Sequence, residues 1–270
     1  MTSKTKRVIA VAGCKGGVGK TFVSVNLALA LSELGQRVVL MDGNLSVPDV
    51  GTTLGLDFNS SLSTPENNSS FWDGEILSGP SGLTVLAPAS GPMWRQSIGI
   101  NDTVKMISKL EQLASSLDTL IIDTAPGMAP DNVTLIQAAG EILIVTNQDI
   151  LSLLDAARLI RLLNRIYEVR RFGIVVNAVT SKKTGSGQFE RLQNILREDS
   201  QIILSYLGSI PFDKAVPEAL NHQQALLERS PDCRASRAFQ RLAHQVKAVP
   251  APMPRGSIEI FMPTRVKEGV

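Results

Sequence analysis

Residues 15–21, K-G-G-V-G-K-T, constrain this chain more than any other stretch. They follow a short apolar run at 7–12 and open a segment, 20–34, in which Val23, Leu27, Ala30, Leu31 and Leu34 recur at helical spacing before Gly35. A strand, a glycine-rich turn and a helix in that order wrap backbone N–H groups and a helix N-terminus around phosphate oxygens. Glycines are needed because the ligand touches main chain there. In such a loop Lys20 neutralises the outer phosphates and the Thr21 hydroxyl ligates Mg2+. The general pattern G-x-x-x-x-G-K-[ST] is met except at its first glycine, where this chain has Cys14. Two readings of Cys14 stand: a low-pKa thiol beside Lys15 and a helix N-terminus, or a small buried spacer with no chemistry, which is the one expected.

The remainder repeats the same alternation. Strands are expected at 37–41, 83–87, 119–122, 141–146, 172–177 and 203–210, with helices at 103–116, 151–166, 188–198, 214–227 and 234–247. Most of these strands are continuously apolar, as in a parallel sheet covered by helices on both faces. Residues 57–82, rich in Ser, Asn, Gly and Pro, read as a long surface excursion, and 181–187 as a flexible polar loop. Pro250, Pro252 and Pro254 mark a linker, dividing the chain into a domain at 1–248 and a tail at 249–270 that lies outside the core.

Composition removes several alternatives. At 270 residues and 43% hydrophobic content a disordered or fibrous chain is excluded, and a net charge of +2 offers no global attraction to nucleic acid or anionic lipid. Cys14 and Cys233 form no C-x-x-C, and His222 and His244 form no spaced ligand set, so a disulfide framework or structural zinc is disfavoured. No apolar run approaches the ~20 residues of a membrane span, and the one before Gly13 is too short for a signal peptide. It reads as a buried strand of a cytosolic protein.

With its extra lysine at position 15, the loop resembles the deviant Walker A signature of the MinD/ParA family of ATPases, in which that lysine reaches the partner's nucleotide across a dimer interface. Other segments follow in family order. Asp42, ending the second strand, resembles the first acid of the D-x-D switch I segment. Asp123 in L-I-I-D-T-A-P-G resembles the Walker B and switch II acid that holds Mg2+ through water, with Gly127 free to move when the γ-phosphate is present. Asn177, ending G-I-V-V-N, is similar to the adenine-contacting asparagine, and Pro211 and Asp213 in S-I-P-F-D to the segment closing over the base. The resemblance implies a three-layer αβα P-loop NTPase fold with a mostly parallel, doubly wound sheet, and ATP and Mg2+ as ligands. It places Lys15, Gly16, Gly17, Val18, Gly19, Lys20, Thr21 and Phe22 against the nucleotide and Thr21, Asp42 and Asp123 around the metal. Lys15, Lys20, Asp42, Asn44 and Asp123 form the catalytic set.

One position departs from the pattern. M-D-G-N at 41–44 has Asn44 where relatives carry the second acid, which positions or activates the attacking water. An amide cannot act as a general base, a contribution worth roughly 10²–10⁴-fold. ATP binding with weak or absent hydrolysis is the expectation, against the alternative that another residue orients the water.

Within the family, V-S-V-N-L-A-L-A-L at 23–31, L-T-V-L-A-P-A-S-G at 83–91, Y-L-G-S-I-P-F-D at 206–213, R-A-S-R-A-F at 234–239 and P-R-G-S-I-E-I-F at 254–261 resemble the FlhG/FleN branch of flagellar-number regulators. That branch implies an ATP-state homodimer, restraint of an AAA+ flagellar transcription activator, and action beside a signal-recognition-type GTPase at the cell pole. A ParA-type DNA-partitioning or cargo-positioning ATPase is the alternative, with direct DNA binding disfavoured by the near-neutral charge. A nitrogenase-iron-protein-like cluster carrier is opposed by the lack of cysteine between Cys14 and Cys233. A structural pseudo-ATPase would be marked by failure to bind ATP.

Two features bear on partners. Arg158, Arg161 and Arg165 fall on one helical face with Arg170 and Arg171 just beyond, a basic stripe readable as a solvated face or as a docking site for an acidic partner, DNA or lipid. In the tail, Ile258, Ile260, Phe261, Met262 and Val266 alternate as in a strand, Pro263 breaks a helix, and Glu259 and Glu268 oppose Arg265 and Lys267. Weak, conditional contact with the inner membrane is expected, in competition with intramolecular docking.

Overall fold

Along β1 (Arg7–Ala12) every residue is buried: Val8, Ala10 and Ala12 face one apolar cluster and Ile9 and Val11 the other. Such a strand is stable only with a helical layer on each side. The computed structural model describes residues 6–44, 47–56, 75–87, 110, 117–249 and 260. The strands that follow are β2 (Val38–Gly43), β3 (Glu75–Ser78), β4 (Thr84–Ala87), β5 (Thr119–Thr124), β6 (Glu141–Thr146), β7 (Arg171–Val179) and β8 (Ile203–Pro211). Among the described residues they form one sheet in the order β3-β4-β2-β5-β1-β6-β7-β8. All neighbours pair in parallel except β3, which runs antiparallel to β4 at the edge. The expected three-layer, mostly parallel architecture is the one observed.

The helices are α1 (Lys20–Glu33), α2 (Val50–Thr53), α3 (Pro130–Ala138), α4 (Ile150–Tyr167), α5 (Lys182–Ile195), α6 (Ala215–Asn221), α7 (Leu226–Arg229) and α8 (Arg234–Ala248). One face of the sheet is covered through Ile136 of α3, Leu153 and Ile160 of α4 and Leu192 of α5. Leu27 and Leu31 of α1, Leu226 of α7 and Phe239 and Leu242 of α8 cover the other, with Phe22 and Phe239 meeting edge to face at 5.5 Å. Gly35 ends α1 as expected, in the left-handed conformation at φ +77.

Several elements differ from the sequence reading, each for a local reason. Residues 181–187 are not a flexible loop. Ser181 caps α5 by accepting the Thr184 N–H at 3.1 Å, and Gly185 lets the helix lie against β8, since a Cβ there would sit 2.7 Å from Ser209 and Tyr206. The single helix expected at 214–227 breaks into α6 and α7 around Gln223, which is left-handed at φ +53. α3 was not foreseen, although Pro130 at its first position marks its start. β3 lies within the presumed surface excursion. The helix expected at 103–116 falls outside the described residues save Leu110, which is buried.

At the end of the sheet remote from the glycine loop, the buried Arg7 guanidinium donates to the Val246 and Val249 carbonyls at the end of α8. It also pairs with Glu141 of β6 at 2.7 Å. Of the arginine stripe, Arg161 is tied inward to Asp199 at 2.8 Å and to the Ile195 carbonyl, while Arg158, paired with Asp155, and Arg165, near Asp199, stay largely exposed, as do Arg170 and Arg171. From the tail, Ile260 is buried in the cluster beneath α3 and α4 and donates its N–H to the Ala138 carbonyl at 3.0 Å. Among the described residues no helix is long and apolar enough to cross a membrane.

Candidate functional site

In a doubly wound sheet, ligands bind beyond the C-terminal ends of the strands where the chain order reverses. Here β1 lies between β5 and β6, and the glycine loop leaves its C-terminal end. Two positions show why the loop must be glycine-rich. Gly17 is left-handed at φ +76. Gly19 is left-handed at φ +92, and a Cβ on it would lie 2.3 Å from Asn177 Nδ2. The same Nδ2 donates to the Val18 carbonyl at 2.9 Å, so β7 grips the loop through Asn177. Ala178, next along, is held left-handed at φ +53, a costly conformation for alanine at the rim of the site.

The loop opens on a cleft of about 690 Å3. Its floor is Gly16, Gly17, Gly19, Lys20, Thr21 and Phe22; its walls are Asn44, Asp49, Thr52 and Thr53 on one side, Thr124 and Pro126 on another, and Leu220, Asn221 and Gln223 beyond. Lys20 is buried, which lowers its pKa, while Asp123 and Asp49 draw it back up.

Register brings two carboxylates together. β2 and β5 pair with Asp42 opposite Asp123, and the two side chains then do different things. Asp42 is fully buried. Its Oδ1 accepts the Asn44 N–H at 3.0 Å and its Oδ2 accepts those of Asp49 and Val50 at 2.8 and 2.9 Å, closing the loop between β2 and α2. Burial pushes its carboxyl up to about 6 against those donors. Asp123 is 1% exposed; Ser24 Oγ donates to its Oδ1 at 2.9 Å and Thr21 also stabilises it, yet burial pushes it up to about 7. Its Oδ2 has no hydrogen-bond partner. A buried, orphaned carboxylate oxygen beside a threonine hydroxyl and an ammonium is the chemistry of a Mg2+ site next to phosphates. Thr21 and Asp123 fit that ion, and Asp42 supports them by ordering the loop.

The segment after Asp123 is pinned from α3. Asn132 Nδ2 donates to the Ala125 and Gly127 carbonyls at 2.9 Å each, and Gly127 is left-handed at φ +94. Lys15 stands at the rim in an ion pair with Asp149, whose carboxyl it holds below the usual range; Asp149 also caps α4 by accepting the Leu151 N–H at 3.0 Å. Cys14 is half-buried and its thiol is pushed up to about 11, chiefly by burial, so it is the inert spacer and not a thiolate.

Pro211 and Asp213 stand apart from the cleft wall. Asp213 accepts backbone N–H groups from Ala215, Arg234 and Ala235, joining the end of β8 to α6 and α8. Sequence reasoning missed Asp49, Thr52, Thr53, Leu220, Asn221 and Gln223. For Asp49 a signal existed, an aspartate directly before a short apolar turn; the last three reach the cleft only because α6 ends there.

A family model named ParA and described as "NUBPL iron-transfer P-loop NTPase" matches residues 4–247. The chain belongs to the ParA/MinD family of P-loop NTPases. The antiactivator FleN of Pseudomonas aeruginosa is 37% identical over 257 residues, covering 95% of this chain and 92% of that protein. An iron-sulfur cluster carrier protein of Haemophilus influenzae is 31% identical over 247 residues, 89% of this chain and 66% of that one. Among solved structures, the septum site-determining protein MinD of Pyrococcus horikoshii complexed with Mg-ADP superposes with a TM-score of 0.69, at 22% identity over 90% of this chain and 97% of that one. Asn44, where the sequence reading expects an acid, lines the cleft.

Proposed function

We propose that this chain binds ATP with Mg2+ in the cleft, is thereby switched from monomer to homodimer, and in the dimeric state restrains an AAA+ flagellar transcription activator. Hydrolysis is slower than in relatives with an acid at position 44. The observation that carries the nucleotide reading is the glycine loop, Lys20 and Thr21 lining one cleft, with the orphaned Asp123 oxygen buried next to Thr21 and Lys20. The flagellar role is supported by 37% identity to an antiactivator across nearly the whole of both chains.

In this reading the loop N–H groups and the α1 N-terminus cradle the phosphates, and Lys20 balances their charge. Thr21 and Asp123 hold Mg2+, which neutralises charge developing on the outer phosphates. Asp42 keeps the switch I loop in place, and Asn177, bonded to the Val18 carbonyl, supports the glycine loop from β7. Gly127, tied to α3 by Asn132, carries news of the γ-phosphate into that helix. Dimerisation frees Lys15 from Asp149 to reach the partner's nucleotide. The exposed Ile150, Leu151, Leu154 and Met128 beside it are apolar surface suited to burial against a second copy. Ile260 packs beside the end of α3, so tail docking and switch II share an element, and contact with the inner membrane at the pole through the tail is weak and conditional. Work beside a signal-recognition-type GTPase completes the assignment.

A DNA-partitioning role is weakened because Arg161 is drawn inward to Asp199 and the Ile195 carbonyl and the net charge is only +2. Iron–sulfur carriage is opposed by the thiols: Cys14 is pushed up to about 11, and Cys233 caps α8 at the Ser236 N–H.

Size-exclusion chromatography with light scattering in ADP and in ATP–Mg2+, following the bound nucleotide with time, tests the proposal. A monomer in ADP and a dimer retaining ATP are expected, with phosphate release accelerated in Asn44→Asp. A monomer in every state would refute it.

A further inference from the structure

Switch I has lost its second acid at position 44, and the structure supplies another. Among the described residues that line the cleft, Asp49 carries the only carboxylate. The two neighbouring acids are otherwise engaged: Asp42 is buried with both oxygens bonded to backbone N–H groups, and Asp123, also buried and off the cleft lining, is the acid assigned to the metal. Asp49, by contrast, is exposed.

Its position follows from a single anchor. Asp42 Oδ1 holds the N–H of Asn44 and Asp42 Oδ2 holds that of Asp49, so residues five apart in sequence start from the two oxygens of one carboxylate. The side chain at 49 therefore enters the cleft from beside the one at 44. Asp49 precedes α2, where an aspartate ordinarily bonds the first free N–H groups of the helix. It makes no such bond: its backbone is already helical at φ −119, ψ −17 rather than in the extended conformation from which a cap side chain reaches those groups. The Asp49 carboxylate is left facing the cleft, where its charge acts on Lys20.

Resting on the reading that ATP occupies this cleft, we propose that Asp49 is the water-orienting carboxylate of the switch I loop, standing in for the acid absent at position 44. Asp49 accepts a hydrogen bond from a water poised opposite the γ-phosphate. The water oxygen bonds to the γ-phosphorus as the bond to the β–γ bridging oxygen breaks, its electron pair leaving on ADP. The water's protons leave with the phosphate product and into solvent, and Asp49 is unchanged. Residual turnover in this chain depends on Asp49.

The test compares wild type, Asp49→Asn and the double variant Asn44→Asp/Asp49→Asn, measuring affinity for a fluorescent ATP analogue and the single-turnover rate of phosphate release. Because the Asp49 side chain caps nothing, the amide should leave α2 and ATP affinity intact, within about threefold. The single-turnover rate should fall roughly 10-fold, since a neutral amide oxygen is a weaker acceptor for the polarised water than a carboxylate. Restoring an acid at 44 in the same background should return the rate to the wild-type level or above, a rescue that a merely structural role of Asp49 would not give. Hydrolysis by Asp49→Asn at the wild-type rate, a double variant as slow as the single, or ATP that stays intact on the wild type would each overturn the proposal while leaving nucleotide binding standing. Failure of the wild type to bind ATP would instead sink the reading of the cleft itself.

Discussion

On the proposed assignment of Asp123 to Mg2+, a proton and the metal ion compete for one carboxylate, and the competition can be measured. Burial raises its carboxyl from 3.8 to about 7, which penalises the ionised form in the folded protein by on the order of 4 kcal/mol. In the nucleotide-free protein the folded value lies above the unfolded one. The stability contributed by protonated Asp123 is therefore full below pH 3.8 and is lost as pH rises through about 7. Asp42, raised to about 6, and Glu141, raised to about 7, act in the same direction. Mg2+ reverses the preference, since the cation needs the carboxylate. Between pH 8 and pH 6 the ionised fraction of a group titrating near 7 falls about tenfold, and Mg2+-dependent nucleotide affinity should fall with it. The assay is the dissociation constant of a fluorescent ADP in Mg2+ across that range, for wild type and Asp123→Asn. Titration of the ligand's own phosphate is common to both proteins and cancels. Wild type should lose about one log unit more affinity than the variant, and without nucleotide its stability advantage should shrink as pH rises. Parallel affinity profiles would refute the assignment of Asp123 to the metal.

Two further outcomes follow from other parts of the fold. Asp149→Asn removes the ion-pair partner of Lys15 while an asparagine still caps α4; dimerisation should then occur at lower ATP concentration in light scattering, and an unchanged or higher midpoint would show that the pair does not restrain the lysine. Arg7→Met strips the partly buried Glu141 of its partner and two carbonyls of their donor, a loss of about 3–5 kcal/mol. By calorimetry that is a fall in Tm of roughly 6–20 °C, and a fall under about 3 °C would mean that water replaces the guanidinium.

Much of the fold was readable along the chain because its strands are short, apolar and punctuated by glycine, asparagine or aspartate. β1 and β6 have the expected bounds, and the C-terminal end of α1 declares itself at Gly35. The failures share a cause. Ser181 and Gly185 have loop-like composition, but one is a helix cap and the other a close contact with β8, which only the packed neighbour reveals. The arginines at 158, 161 and 165 have the spacing of a basic face, but Asp199, far along the chain, contacts two of them and offsets one charge.

At the site the division is sharper. The glycine loop, Lys20 and Thr21 are consequences of covalent order, because a phosphate loop is a run of consecutive backbone groups and local residues suffice to recognise it, whereas Asn44 stands out only against the family resemblance. The roles of the other acids depend on contacts across the chain. Strand register sets Asp42 beside Asp123, and each then takes a different duty: one holds switch I by three N–H groups, the other keeps a bare buried oxygen. That loop closure in turn leaves Asp49 on the cleft wall. Sequence determined that phosphate would be held at the end of β1; tertiary structure decided which carboxylate is buried, which is satisfied and which faces water, because desolvation and hydrogen-bond supply are set by neighbours brought together only on folding.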